Sequence, residues 1–181
     1  MAIALFGGSF DPPHSGHLGV IHEALKSLPI EKLIIVPAYV NPFKKGTHAS
    51  ATLRLKWLQT IFEGNEKVEV SDFEILKGCP VRTIETVRHY LKKDPDIYLI
   101  IGADNLEDLS KWHRFDELDS LVTWVIAKRD QQKIDTRYLT LDVNEPISSS
   151  RLRQSIEYEK LPKKVADEIA LYYKETYAKT H

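Results

Sequence analysis

The sequence has little cysteine, no excess of either charge and no long hydrophobic run. Cys79 is the only cysteine among 181 residues, so no disulfide can form within the chain, which suits a reducing compartment. Lys and Arg number 25 against 26 Asp and Glu, a balance that argues against a nucleic-acid coat or a membrane-surface protein. The longest apolar runs, such as residues 97–101, are far too short to span a bilayer. The first residues lack the basic and apolar regions of a signal peptide, so we expect a cytoplasmic protein.

Short apolar runs alternate with helical patterns along most of the chain. Runs rich in Ile, Val and aromatic residues suit strands buried on both faces of a parallel sheet, and they occupy residues 3–6, 33–36, 97–101 and 122–126, with a weaker candidate at 68–70. Between them, apolar residues recur every three or four positions, as in Leu18, Ile21, Leu25 and Leu28. This alternation predicts an α/β fold, a Rossmann-like doubly wound parallel sheet with crossover helices.

The C-terminal part of the sequence differs because it contains helical patterns without strands. After Pro146 the pattern predicts helices over residues 149–159 and 162–177. We interpret residues 146–181 as a helical C-terminal subregion packed on the sheet. The length of the chain fits a single domain that covers residues 1–181.

A glycine pair and two histidines follow the first predicted strand, in the segment FGGSFDPPHSGHL. Gly7 and Gly8 let the backbone turn tightly and approach a ligand at the carboxyl end of a strand. His14 and His17 fall at the start of the next helix, whose free N–H groups and positive dipole end favour a phosphate. The dinucleotide motif GxGxxG and the P-loop motif GxxxxGK are absent, so hydride transfer and P-loop hydrolysis lose their main support. A His-x-x-His pair also occurs in metal sites, although no third ligand lies nearby in the sequence.

A second helix start lies near the other end of the sequence. Ser148, Ser149 and Ser150 follow Pro146, and serine is a favoured N-cap residue. Arg153 falls one position off the apolar face of this helix, where it can reach over the helix start. Serine hydroxyls, a helix N-terminus and a guanidinium together suit a phosphate. Taken alone, the same segment also fits an ordinary capped helix with a solvent-exposed arginine.

These segments resemble the signatures of a known superfamily. GGSFDPPHSGHL and ISSSRLR resemble the first and second signatures of the nucleotidyltransferases, which transfer a nucleotide monophosphate from ATP or CTP to a phosphate or an alcohol. The segment GADNLEDLSKW, residues 102–112, looks like that of the bacterial nicotinate-nucleotide adenylyltransferase family. The resemblance covers residues 3–156. It implies transfer of AMP from ATP to nicotinate mononucleotide, giving deamido-NAD and pyrophosphate in NAD biosynthesis.

The resemblance also implies roles for individual residues. Catalytic roles fall to His14, His17, Lys44 and Arg153. The implied ATP site comprises, in chain order, Gly7, Gly8, Ser9, Phe10, His14, His17, Gly102, Asp104, Arg129, Ser148, Ser149, Ser150 and Arg153. The implied nicotinate mononucleotide site comprises Lys44, Thr83, Trp112 and His113, with the indole stacked on the pyridinium cation. Mg²⁺ is implied as an ion that arrives with ATP and is bound mostly through phosphates and water.

The sequence leaves several alternatives open. Arg82 and Glu85 stand where the family usually has Tyr and Asp. Trp112 also fits simple packing, and Asp104 also fits a helix N-cap. The nearest alternative activity is that of phosphopantetheine adenylyltransferase, and a non-catalytic nucleotide sensor on the same fold is an alternative from another class. ATP and nicotinate mononucleotide are the expected partners, neither a nucleic acid nor a membrane is expected, and a homo-oligomer stays open.

Overall fold

The computed structural model describes residues 1–40, 47–128 and 133–178, and a parallel β-sheet forms its centre. The strands are β1 Ala2–Gly8, β2 Lys32–Pro37, β3 Val68–Val70, β4 Asp96–Gly102, β5 Thr123–Lys128 and β6 Leu139–Asp142. All neighbouring pairs run parallel, in the spatial order β3-β2-β1-β4-β5-β6. The chain therefore extends the sheet outward from β1 to β3 and then returns to the other side of β1, so the direction of growth reverses between β1 and β4.

Helices lie between the strands from β1 to β5 and form the C-terminal region. The α-helices in the described ranges are α1 Ser15–Ser27, α2 Ala51–Phe62, α3 Phe73–Lys77, α4 Thr83–Leu91, α5 Phe115–Leu121, α6 Ser149–Gln154 and α7 Ala166–Ala178. Two 3₁₀-helices cover Ala103–Lys111 and Tyr158–Lys160. None of the helices in this described part of the chain is long and apolar enough to cross a membrane.

Helices cover both faces of the sheet. Successive strand residues point to opposite faces, so Phe6 of β1 packs on the side of α1 and α2, where it meets Leu58 in one core cluster. Its neighbour Leu5 points to the other side and joins Val87 of α4 and Leu118 of α5 in a second cluster. Because both faces are covered, the central strands are continuous apolar runs rather than alternating ones.

A third apolar cluster joins the C-terminal helices to α2. Leu58 of α2 faces the sheet, whereas its neighbour Trp57 is fully buried in a cluster with Leu152 of α6 and with Ile169 and Tyr173 of α7. The Trp57 and Tyr173 ring centroids lie 6.1 Å apart. Since α2 shares its buried residues between two clusters, it fixes α6 and α7 beside the sheet.

The predicted α/β class with a doubly wound parallel sheet is confirmed by this topology. Three details of the secondary structure differ from the sequence patterns. The pattern does not predict β6, because only Leu141 of its four residues is buried. The predicted helix over 149–159 is interrupted, since Ser155 is extended (φ −146°, ψ 109°) and the 3₁₀-helix follows. The last helix begins at Ala166, later than predicted, because a turn precedes it in which the Val165 N–H donates to the Pro162 carbonyl at 3.0 Å.

Candidate active site

The candidate site lies at the carboxyl ends of β1 and β4, where the strand order reverses. Ligands bind in the crevice at this point in open α/β sheets. Gly7 and Gly8 end β1, and Gly102 ends β4. The structure therefore places all three glycines of the expected ATP site at one edge of the sheet, as the sequence patterns predict.

The two histidines cap the first turn of α1 with their side chains. His14 is the N-cap residue, and its Nδ1 accepts the Gly16 N–H at 3.1 Å, while the His17 Nδ1 accepts the His14 N–H at 3.2 Å. The two rings stack with their centroids 3.8 Å apart. Because Nδ1 is an acceptor in both rings, each neutral imidazole carries its hydrogen on Nε2. The start of α1 therefore holds two imidazole N–H donors side by side, an arrangement suited to a phosphate.

Gly16 is required by this arrangement of histidines. A Cβ at this position would lie 2.9 Å from Cε1 of His14 and 3.3 Å from Cγ2 of Ile147. The first distance is shorter than any real Cβ contact, and His14 is held in place because it is only 1% exposed. The glycine in the His-x-Gly-His spacing thus makes room for the first histidine ring.

The loop between β1 and α1 contributes a buried aromatic ring and a buried hydroxyl to this region. Phe10 has a positive φ of 49° and is 1% exposed, and its ring centroid lies 4.8 Å from that of His17. The Ser9 hydroxyl is buried and is one of two buried side-chain polar atoms in the described residues without a hydrogen-bond partner. A buried hydroxyl without a partner costs free energy, so Ser9 suits a contact with a ligand oxygen.

The start of α6 contacts this same loop. The Ser148 hydroxyl caps α6 by accepting the Arg151 N–H at 3.2 Å. The Ser149 hydroxyl donates to the Pro12 carbonyl at 2.9 Å, and Nη1 of Arg153 donates to the Asp11 carbonyl at 2.6 Å. The structure therefore brings the two motifs from opposite ends of the sequence into direct contact.

On the β4 side, the polar residues follow Gly102 directly. Asp104 is exposed, and a side chain at position 102 would collide with its carboxylate. The interpretation of Asp104 as an N-cap is wrong, because Gly102 occupies that position and Asp104 lies inside the 3₁₀-helix. Two expected site residues, Lys44 and Arg129, lie outside the described residues.

The expected acceptor residues come from two further elements. Thr83 is the first residue of α4, and the carboxylate of Glu85 accepts the Arg82 N–H at 3.2 Å. Arg82 and Glu85, which depart from the usual family pattern, therefore cap α4. Thr83 is half-buried next to this cap.

Trp112 and His113 follow the 3₁₀-helix. Trp112 is half-buried and meets the buried Trp124 edge-on, with centroids 6.2 Å apart and an interplanar angle of 72°, so it packs at the margin of the cluster under α4 and α5. His113 is exposed. Ile84 of α4 belongs to the same cluster as Trp112, so shared apolar packing links the two elements that carry the expected acceptor residues.

Comparisons with known proteins agree with this geometry. The Cytidylyltransferase-like family matches residues 5–155. A protein of Sulfurimonas denitrificans named "Probable nicotinate-nucleotide adenylyltransferase" is 51% identical over 98% of both chains. A protein of Nitratiruptor with the same name is 46% identical over 96% of this chain and 99% of its own. The chain belongs to the nicotinate-nucleotide adenylyltransferase family.

The fold of the family is also seen in a distant solved structure. Plasmodium falciparum nicotinic acid mononucleotide adenylyltransferase complexed with NaAD matches with a TM-score of 0.73 at 20% identity, over 96% of this chain and 95% of that one. The resemblance read from the two signatures is confirmed by the curated relatives. The names of these relatives favour nicotinate mononucleotide over 4′-phosphopantetheine as the acceptor and an enzyme over a silent sensor.

A residue outside the motifs contacts the loop of the expected phosphate site. Arg54 on α2 is fully buried and donates through Nη1 to the Ser9 carbonyl at 2.6 Å. Arg54 lies on the same face of α2 as the buried Trp57 and Leu58. A charged residue on an otherwise apolar helix face is the feature of the sequence that could have indicated this buried contact. The pKa of Arg54 is lowered by burial, and the nearby carboxylate of Asp11 acts in the opposite direction.

A second buried polar contact lies behind the acceptor side of the adenylyltransferase site. Glu74 of α3 is 8% exposed, and its carboxylate accepts the Thr86 hydroxyl of α4 at 2.6 Å. Burial raises the pKa of Glu74 to about 7, the Thr86 hydroxyl acts to lower it, and Glu85 acts to raise it. Thr86 is three residues after Thr83, so Glu74 holds the first turn of the helix that carries this expected acceptor contact.

Within the described ranges, no three His, Cys, Asp or Glu side chains come together to hold a metal ion. The Asp11 carboxylate is already occupied by the backbone N–H groups of His48 and Ala49, at 2.7 and 3.0 Å. The described N–H and hydroxyl donors at the two helix starts suit an anion.

Proposed function

We propose that this protein transfers the adenylyl group of ATP to nicotinate mononucleotide, giving deamido-NAD and pyrophosphate. The observation that carries the proposal is the contact between the two helix starts. Ser149 and Arg153 of α6 donate to the backbone of the loop that leads to His14, so one polyphosphate can reach both motifs. The names of the curated relatives supply the acceptor.

The reaction depends on positioning more than on proton transfer. An oxygen of the acceptor 5′-phosphate attacks the α-phosphorus of ATP in line. The new P–O bond forms as the bond to the α,β-bridging oxygen breaks, and the electron pair leaves with pyrophosphate. A phosphate oxygen is nucleophilic at neutral pH, so the protein does not have to provide a general base. Its contribution is to orient the two substrates and to stabilise the developing negative charge.

The phosphate contacts follow from the donors at the two helix starts. His14 and His17 would donate their Nε2 hydrogens to the α- and β-phosphates, because Nδ1 of each ring is used as an acceptor. Arg153 would neutralise charge on the leaving pyrophosphate, and we assign the same role to Lys44 from the family pattern. In this proposal the Ser9 hydroxyl, buried without a partner among the described residues, contacts a phosphate oxygen.

The remaining ATP contacts surround this phosphate site. Gly102 and Asp104, at the end of β4, would lie at the ribose, and Arg129 would lie near the adenine. Backbone groups and hydroxyls complete the proposed set, which adds Gly7, Gly8, Phe10, Ser148, Ser149 and Ser150.

The acceptor is recognised by its charge on this proposal. Nicotinate mononucleotide carries a pyridinium cation, and the face of an indole attracts a cation, so Trp112 would stack on the ring. The Thr83 hydroxyl and the backbone N–H of His113 would hold the carboxylate, and Lys44 would also contact the acceptor. Trp112 already packs against Trp124, which would hold the indole in position for stacking.

The same proposal covers the setting of the reaction. Mg²⁺ would arrive with ATP, held mostly by the phosphates and by water, and would supply charge neutralisation at the phosphates. The enzyme works in the cytoplasm without a nucleic-acid or membrane partner. Residues 1–181 act as a single domain with a helical C-terminal subregion, and association into a homo-oligomer is compatible with the proposal.

Release of pyrophosphate measured with three acceptors tests this function. We expect turnover of ATP with nicotinate mononucleotide, slower turnover with nicotinamide mononucleotide and none with 4′-phosphopantetheine. Mass spectrometry of the product should give deamido-NAD. Turnover with 4′-phosphopantetheine alone, or ATP binding without pyrophosphate release, would contradict the proposal.

A further inference from the structure

A buried arginine ties together three backbone segments around the phosphate site. The Arg54 guanidinium donates to the Ser9 carbonyl at 2.6 Å, to the Ala38 and Tyr39 carbonyls at 2.8 and 2.9 Å, and through Nε to the Ala49 carbonyl at 3.2 Å. Ser9 belongs to the loop after β1, Ala38 and Tyr39 follow β2, and Ala49 precedes α2. One side chain thus fixes the relative positions of three loop segments.

The buried carboxylate of Asp11 joins the phosphate loop to the segment before α2 a second time. Asp11 is 3% exposed, and its carboxylate accepts the N–H groups of His48 and Ala49 together with the Tyr173 hydroxyl of α7. The Asp11 carbonyl also accepts Arg153 of α6. Asp11 is therefore the point where the phosphate loop, the segment before α2 and both C-terminal helices meet.

The C-terminal helix reaches this point through a tyrosine that stays a donor. Tyr173 is fully buried, and burial together with the Asp11 carboxylate raises its pKa, so the hydroxyl keeps its hydrogen at any pH of interest. Its neighbour Tyr172 donates to the His48 carbonyl at 2.9 Å. Two adjacent residues of α7 thus bind the His48 carbonyl and the Asp11 carboxylate beside the site.

The buried charges of this network contribute little net stability, which points to a role beyond stability. Burying a cation and a carboxylate costs free energy, and an apolar pair of similar volume is often as stable. The carbonyls and N–H groups that the network holds all lie in loops, and one of those loops leads into the two histidines. We propose that Arg54, Asp11 and Tyr173 are positioning residues, a buried positioning network that fixes the phosphate loop and the segments 38–39 and 48–49 in one arrangement before ATP binds.

The inference rests on the proposed function for its expected kinetic effect. Small misplacements matter because a shift of about 1 Å in a reacting group can cost roughly 10²-fold in rate. None of the three side chains has to touch ATP for this to hold, since each acts through the backbone that carries Ser9 and His14. The network therefore predicts losses in nucleotide binding and turnover that exceed the loss of stability.

Two tyrosine variants provide the sharpest test. Tyr173→Phe removes only the hydroxyl that donates to Asp11. Tyr90→Phe is the matched control, because Tyr90 is also buried, at 5% exposed, and its hydroxyl donates to the Ser71 hydroxyl at 2.6 Å away from the phosphate loop. We expect Tyr173→Phe to lower kcat/KM for ATP by about 10-fold, less than the loss for a full 1 Å displacement. We expect Tyr90→Phe to leave that ratio within a factor of about 2 for a similar loss of thermal stability.

An arginine pair extends the test to the other end of the network. Arg54→Lys keeps the charge but cannot reach four carbonyls, so we expect kcat/KM for ATP to fall by roughly 10²-fold. Arg88→Lys is its control, since Arg88 is exposed and contacts Glu117 of α5. If Arg54→Lys does not fold, Tyr173→Phe still decides the question.

Calorimetric measurement of the ATP dissociation constant separates this inference from the proposed function. We expect the constant to rise for Tyr173→Phe and to stay unchanged for Tyr90→Phe. An unchanged constant and an unchanged kcat/KM for Tyr173→Phe, or equal losses in both tyrosine variants, would overturn the positioning role. A wild-type protein that binds ATP but releases no pyrophosphate with nicotinate mononucleotide would overturn the proposed function alone, because the dissociation constants would still test the network.

Discussion

The nucleotide side and the acceptor side of the site are built in different ways. On the nucleotide side, two contiguous motifs contact each other, and His14 and Asp11 are 1% and 3% exposed. On the acceptor side, Thr83, Trp112 and His113 come from separate elements and are half-buried or exposed. The contacts between the two nucleotide-side motifs are therefore present without a ligand, whereas the expected acceptor residues lie on separate elements. We expect changes on the nucleotide side to lower kcat and changes on the acceptor side to raise KM for the acceptor.

The largest effect is expected for a histidine of the nucleotide side. His17→Ala removes one preorganised donor to the phosphates and should lower kcat by about 10²–10³-fold. The fold should persist, which circular dichroism and a thermal melt would check. His22→Ala is the matched control, because His22 lies on the same helix and is exposed. A well-folded and fully active His17→Ala protein would show that His17 is not a catalytic donor, and the contrast between the nucleotide side and the acceptor side would lose its main support.

A smaller loss is expected when the histidines are displaced rather than removed. In Gly16→Ala the new Cβ would lie 2.9 Å from the His14 ring, so the ring must shift, and kcat should fall by roughly 10-fold or more. Gly19→Ala provides the contrast, because its Cβ would lie 2.9 Å from Cγ1 of Val143 and crowds no catalytic group. Both variants should lose stability in a thermal melt, but only Gly16→Ala should lose turnover. Equal kcat values for the two variants would show that the ring position is unimportant.

The nucleotide side could be predicted from the sequence because its chemistry and its backbone shape use the same contiguous residues. The spacing of His14, Gly16 and His17 specifies both a helix start and a pair of donors, and the serines before Arg153 specify another helix start. The parallel sheet could be predicted equally well, since strands buried on both faces are continuous apolar runs. Short polar strands carry no such signal, which is why the pattern does not predict β6.

The contacts of the buried positioning network could not be predicted from local patterns, although Arg54 falls on the apolar face of α2. The apolar pattern of α2 favours Leu55 as a buried position, whereas the structure buries Arg54 and leaves Leu55 half-buried. Tyr173 looks like an ordinary core residue of α7 until its hydroxyl is seen on Asp11. Both contacts join residues more than 40 positions apart, and such tertiary pairings leave no periodic trace in one sequence.

The acceptor side should respond selectively to loss of its indole. Trp112→Ala removes the proposed cation–π face, which is worth up to about 2 kcal/mol when desolvated, so KM for nicotinate mononucleotide should rise by roughly 10-fold or more. KM for ATP should stay close to the wild-type value. Trp112→Phe should recover part of the loss, because a smaller aromatic face remains. Initial-rate kinetics with each substrate varied in turn would measure this, and equal increases in both KM values would argue that Trp112 only packs.

The smallest effect on turnover is expected for the support behind the acceptor side, where the change is in stability and depends on pH. The pKa of Glu74 is raised by burial from 4.5 to about 7, so the folded protein holds a proton that the unfolded chain loses. The stabilisation is complete below the unfolded pKa and is lost as the pH rises through the folded one. The difference between the two values corresponds to about 3 kcal/mol at most.

Glu74→Gln keeps an oxygen acceptor for Thr86 but cannot ionise. It should match the wild type in free energy of unfolding at about pH 4.5 and exceed it at about pH 8.5, when both are measured by urea denaturation. Glu66→Gln, at an exposed position, is the matched control. If the Glu74→Gln difference is the same at both pH values, the carboxylate does not titrate near neutrality. If the difference appears, the acceptor side is held by a group that weakens as the pH rises, whereas Arg54 and Tyr173 hold the nucleotide side with donors that keep their protons.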